Sequence, residues 1–260
     1  MINYIFSLVI CLIVLVFSTG ANADFFDSDG VKIFFTDSKG TGDPIVLIHG
    51  HTMSSVFWYE AGIATKLSEK YRVIALDCRG HGKSGKPESP TEYGPKVGKD
   101  IVNLLDHLEI DKAHMVGYSM GAFVIGRLLV SNPDRIRTAI LGSGFFPTSD
   151  EEELKYQDFV AKDLEQHGEH ALAAVARGWR YDAVTDLQIS EITVPVQAVF
   201  GSEEVNDFFN SQKDRLRIPK SSLPTVIIDG ADHDSDKAAI LHPKFLEIVK
   251  SMISTNGDDV

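Results

Sequence analysis

The chain has 260 residues and a formal net charge of −12, a length that suits one domain with a sizeable core or one domain carrying an insertion. So acidic a surface repels nucleic acid and anionic membrane and favours an exported protein acting on a neutral or cationic small molecule, with no nucleic-acid partner expected. Two cysteines, Cys11 and Cys78, are too few for a disulfide-built scaffold.

Residues 1–23 read as a secretory leader: an apolar run over 4–17, then Ser18-Thr19-Gly20 and the small-residue ending Ala21-Asn22-Ala23, with cleavage expected after Ala23. The run is shorter than the roughly 20 apolar residues of a spanning helix. No Lys or Arg precedes it, so an uncleaved anchor is the alternative to a secreted or periplasmic protein. The leader contains no Asp, Glu, Lys or Arg, so the whole charge belongs to the mature chain. Its removal leaves Cys78 as the only cysteine, expected to be a half-buried structural thiol.

Residues 31–36 are expected to add a leading antiparallel strand or hairpin at the edge of the sheet. Six continuous apolar runs then follow, at 45–48, 73–76, 113–116, 138–141, 196–200 and 226–228, each bounded by turn residues. Continuous rather than alternating runs are the pattern of strands buried on both faces of a parallel sheet. Helical spacing lies between them. Val97, Ile101, Leu104, Leu105 and Leu108 form one stripe at 3.6 residues per turn. A second helix follows Ser119 and stops near Asn132-Pro133, and a last one starts at Pro243 and buries Phe245, Ile248, Val249 and Met252. Strands alternating with helices make a doubly wound, mostly parallel α/β fold. The interval 145–192 has no strand-like run but two helix candidates, 150–166 and 169–179. It is read as a small helical cap inserted into a core of 24–144 and 193–260.

Chemistry concentrates where strands end. Gly117-Tyr118-Ser119-Met120-Gly121 lies between an apolar run and a helical pattern. A serine so flanked stands on a sharp strand-to-helix turn with its hydroxyl clear of the sheet, the position of a nucleophile. Such a serine needs a base, and the base needs an acid to hold its tautomer. His233, on the loop after the last strand, is at the carboxyl edge where parallel sheets gather their sites. Asp232, Asp234 and Asp236 mimic the start of a calcium loop, but Lys237 and Pro243 stand at its sixth and twelfth positions, so no metal is expected. The loop after the fifth run offers Glu203, Glu204 and Asp207 as the acid.

Four blocks, His49-Gly50-His51-Thr52, Asp77-Cys78-Arg79-Gly80-His81-Gly82-Lys83-Ser84, Gly117-Tyr118-Ser119-Met120-Gly121 and Gly230-Ala231-Asp232-His233, occur in an order that resembles the α/β-hydrolase superfamily, and within it the small single-domain serine esterases and perhydrolases. The resemblance implies a catalytic set of Ser119, His233 and an acid three residues after Gly201, at Glu204. Aspartate is usual there, so Asp207 and Glu203 stay open. It also implies oxyanion donors in the backbone N–H groups of His51 and Met120, leaves His49 and His81 to structural turns, and involves no cofactor. Phe145 and Phe146, just after the fourth run, are expected to touch substrate.

The serine sets this chain apart from haloalkane dehalogenases and epoxide hydrolases, which carry aspartate at that point. His49-Gly50-His51-Thr52-Met53 likewise departs from the His-Gly-Gly-Pro-Gly of proline iminopeptidases. The expected activity is hydrolysis of a small carboxylic ester or lactone through an acyl-enzyme. The same residues would serve a perhydrolase, an acyltransferase or a carbon–carbon bond hydrolase, and the fold alone would serve a non-catalytic binding or signalling protein.

Overall fold

The computed structural model describes residues 22–147, 151–204, 219, 221–233 and 235–256. The leader expected over 1–23 lies outside the described residues up to position 21, as do Asp207 and Asp234. The first strand, β1 (Asn22–Ser28), pairs antiparallel with β2 (Val31–Asp37), so a cut after Ala23 would remove only its first two residues, opposite Asp37 and Thr36.

Each of the six apolar runs forms a strand: β3 (Pro44–Ile48), β4 (Arg72–Leu76), β5 (Ala113–Tyr118), β6 (Ile136–Gly142), β7 (Val196–Gly201) and β8 (Val226–Ile228). Their order across the sheet is β1-β2-β4-β3-β5-β6-β7-β8, with every pairing from β4 to β8 parallel. The α/β fold is therefore the doubly wound, mostly parallel one that the patterning predicts. Side chains alternate across the sheet. Val46 and Ile48 of β3 join one apolar layer, while Ile45 and Leu47 join the other.

Helices fill both layers. On one face, α3 (Pro95–His107) sets Val97, Ile101, Leu104 and Leu105 against the sheet beside Ile125 and Leu128 of α4 (Met120–Ser131). The other face takes Trp58 of α1 (Val56–Glu60), Ile63 and Leu67 of α2 (Ile63–Ser68), and Phe245, Val249 and Met252 of the last helix, Pro243–Asn256. Ile248 of that helix is half-buried rather than buried.

Between β6 and β7 the chain forms α5 (Glu151–Gln166), α6 (His170–Gly178) and α7 (Asp186–Ser190). α5 and α6 share a small apolar contact of Ala161, Ala173 and Ala176, and Arg177 pairs with Glu165 across it. The apolar spacing does not announce α7. It starts at a capping box in which the Gln188 N–H donates to Thr185 and the Gln188 side chain accepts from the Thr185 N–H. The final helix, Pro243–Asn256, is α8.

These helices rest on the core at several points. Ala174, Val175 and Trp179 enter the layer beside α4, and the Val184 N–H donates to the Pro147 carbonyl at 2.9 Å.

Candidate active site

β5 ends at Tyr118, and α4 begins at Met120, so Ser119 must turn the chain from strand to helix within one residue. It does so at φ 52°, ψ −115°, torsions that a side chain disfavours and that cost about 1–3 kcal/mol. The turn is held from the sheet: the Ser119 N–H donates to the Gly142 carbonyl of β6 at 2.8 Å. α4 lies so close to β3 that a Cβ on Gly121 would sit 2.0 Å from the Ile48 oxygen, so only glycine fits there.

The loop after β8 brings His233 to this turn. Its Nε2 lies 3.0 Å from Ser119 Oγ, and in the tautomer with the ring proton on Nδ1 it accepts a hydrogen bond from the serine hydroxyl. Tyr118 steadies the histidine: its hydroxyl donates to the His233 carbonyl at 2.6 Å, and the two rings stack with centroids 5.5 Å apart.

Glu204, three residues beyond the end of β7, is buried and aims Oε2 at His233 Nδ1 across 3.9 Å. Its other oxygen, Oε1, accepts from the Ser143 hydroxyl at 2.7 Å. Glu203 is exposed, and its carboxylate takes a 3.4 Å contact from Ser202. The structure thus brings Ser119, His233 and Glu204 into one line and leaves Glu203 outside it.

The second oxyanion donor expected from sequence sits on the loop after β3. Gly50 lies against Ser119; a Cβ on it would stand 3.4 Å from Ser119 Cβ. The orientation of the Gly50–His51 peptide follows from His49. The Cys78 N–H donates to His49 Nε2 at 3.0 Å, so the ring proton is on Nδ1, which donates to the Gly50 carbonyl at 2.7 Å. In a trans peptide, fixing that carbonyl fixes the opposed N–H of His51. Met120 is the first residue of α4, where backbone N–H groups have no intrahelical acceptor and the helix field favours negative charge.

The His51 ring reaches the cap, its Nε2–H donating to the Leu172 carbonyl of α6 at 3.1 Å. Burial pushes its pKa down to about 4, and the neighbouring His49 adds to this. Burial likewise holds His49 and His81 below the usual histidine range, so the three rings, packed edge to face, stay neutral at pH 7.

The two phenylalanines separate. Phe145 is half-buried and stacks on Phe200 at 4.9 Å, whereas Phe146 is buried against Gly126 of α4 and belongs to the core. Cys78 is completely buried rather than half-buried, and burial raises its thiol pKa far above the reactive range.

An eight-stranded, mostly parallel sheet wrapped by helices, with a serine on a strained strand-to-helix turn and a histidine and a carboxylate from later loops, defines the α/β-hydrolase class. Residues 43–236 match the family model for the alpha/beta hydrolase fold, and the chain belongs to that family. Epoxide hydrolase 3 of Siraitia grosvenorii is 34% identical over 123 residues, a match spanning 46% of this chain and 38% of that protein. A longer match, 28% identical over 239 residues, covers 75% of this chain and 83% of the 2-(acetamidomethylene)succinate hydrolase of Mesorhizobium japonicum. Among solved structures, a thermophilic esterase from Thermogutta terrifontis superposes with a TM-score of 0.74 over 90% of this chain and 99% of its own, at 19% identity, a likeness of fold.

Proposed function

We propose that the protein is an exported serine hydrolase that cleaves a small carboxylic ester or lactone through an acyl-enzyme on Ser119. The observation that carries this reading is the 3.0 Å hydrogen bond from Ser119 Oγ to His233 Nε2, with the Glu204 carboxylate behind the ring. As Oγ attacks the acyl carbon, its proton passes to Nε2, and the carbonyl oxygen becomes an oxyanion facing the N–H groups of His51 and Met120. The imidazolium then gives that proton to the departing alkoxide. Water, deprotonated by the same nitrogen, attacks the acyl-enzyme and returns free Ser119 and a carboxylic acid. Glu204 stabilises the transient imidazolium and keeps the Nδ1 proton in place.

Epoxide hydrolase chemistry fits less well despite the sequence similarity, because it calls for aspartate where this chain has Ser119. Export rests on the leader pattern of residues 1–23, and sequencing the amino terminus of protein recovered outside the cytoplasm should begin at Asp24.

A fluorophosphonate probe should label the wild type and fail to label Ser119→Ala. With p-nitrophenyl esters of increasing chain length, Ser119→Ala and His233→Ala should each lower kcat about a thousandfold or more without lowering Tm. Glu204→Gln should cost far more than Asp207→Asn. Wild-type protein that resists the probe while a control esterase reacts would remove the enzyme reading. Lactones and amides assayed beside the esters assign the bond that is cleaved.

A further inference from the structure

Ser143 is the first residue past β6, 61 residues before Glu204 in the chain, yet its hydroxyl donates to Glu204 Oε1 at 2.7 Å. It holds φ at 51°, in the left-handed region where glycine is the usual choice, and its N–H donates to the Val199 carbonyl of β7 at 2.8 Å. Ser143 is 1% exposed and Glu204 4%, so water is not at hand to replace either partner. A serine kept at torsions that glycine would adopt more readily implies that its side chain is needed.

That need follows from the acid itself. Glutamate has one more rotatable bond than the aspartate usual at this point of the family, so its carboxylate requires a second contact to keep a fixed orientation. With Oε1 held by Ser143, Oε2 faces His233 Nδ1. We propose that Ser143 is a positioning residue for the catalytic acid, the fourth member of a line Ser119–His233–Glu204–Ser143. It touches neither substrate nor the reacting atoms and acts only through Glu204. The inference rests on the serine-hydrolase reading given above.

The test is steady-state hydrolysis of p-nitrophenyl acetate by wild type, Ser143→Ala, Ser143→Gly, Glu204→Gln and the double variant Ser143→Gly/Glu204→Gln. A hydrogen bond to a charged group corresponds to roughly a 10- to 100-fold effect, so Ser143→Ala and Ser143→Gly should each lose that much in kcat, with KM changing little. In the double variant the loss should equal that of Glu204→Gln alone, because the group through which Ser143 acts is already disabled. Glycine is relaxed at φ 51°, so Ser143→Gly keeps the test valid even where Ser143→Ala folds poorly. Wild-type turnover by Ser143→Gly, or losses that multiply in the double variant, would overturn the proposal. Turnover that survives Ser119→Ala would instead overturn the serine-hydrolase reading, and the two failures are told apart by that control.

Discussion

Tyr118, beside Ser119, holds His233 at two points. Its hydroxyl anchors the His233 carbonyl and its ring stacks on the imidazole, so both the loop and the ring are held in place. Tyr118→Phe keeps the ring and removes the anchor. A net hydrogen bond of about 1 kcal/mol predicts roughly a fivefold to tenfold loss in kcat, read in the same ester assay, and a Tm lowered by a few degrees. Cys78 illustrates the opposite case. Its thiol is completely buried and its acidity suppressed, so a disulfide reagent such as Ellman's should leave Cys78 unmodified in the native protein and react with it in urea.

At the scale of elements, the contact of the β6–β7 connection with α4 holds a titratable group. Asp182, just before α7, is 1% exposed, and its carboxylate meets Arg127 Nε of α4 at 3.3 Å. Burial pushes its pKa up to about 7, against the pull of Arg127. The folded state therefore holds this proton more tightly than the unfolded chain, whose aspartate titrates near 4. Stability from this group is complete below pH 4 and is lost as the pH rises to 7. Asp182→Asn has no such proton. The unfolding free energy of wild type minus that of Asp182→Asn should fall between pH 5 and pH 7, by up to about 1.4 kcal/mol per pH unit, and level off above pH 8, as denaturant titrations would record.

The elements also mark how far sequence reading reaches. Strands β3 to β8 are legible because burial on both faces demands an unbroken apolar run, and α3, α4 and α8 because a long stripe repeats. β1 is not, since Asp24-Phe25-Phe26-Asp27 has no such run and only its pairing to β2 makes it a strand. α1, α2 and α7, of five or six residues each, are too short to show a period. Within the site, Ser119 and His233 stand at strand ends that a topology rule singles out. Ser143 has no motif of its own, and its part is visible only where the fold sets it against Glu204.

At the scale of the whole molecule, the charge of −12 sets the long-range field. It should slow the approach of anionic substrates and leave neutral ones indifferent. Raising ionic strength to about 0.15 M shortens the screening length to roughly 8 Å, so kcat/KM for an anionic ester should rise with salt while that for p-nitrophenyl acetate stays level. Equal responses would place the acidic residues too far from the site to matter.

The close crossing of Gly121 over the Ile48 carbonyl has a practical sequel. Ser119, His233 and Glu204 follow the ends of β5, β8 and β7, so their native distances require these three strands to be assembled in one sheet. On the proposed serine-hydrolase function, covalent capture of Ser119 should therefore count native molecules. Through a urea titration, the fraction of chains that a fluorophosphonate arrests should trace the same curve as emission from the buried Trp58 and Trp179, which would make Ser119 a census of folding as well as a reagent.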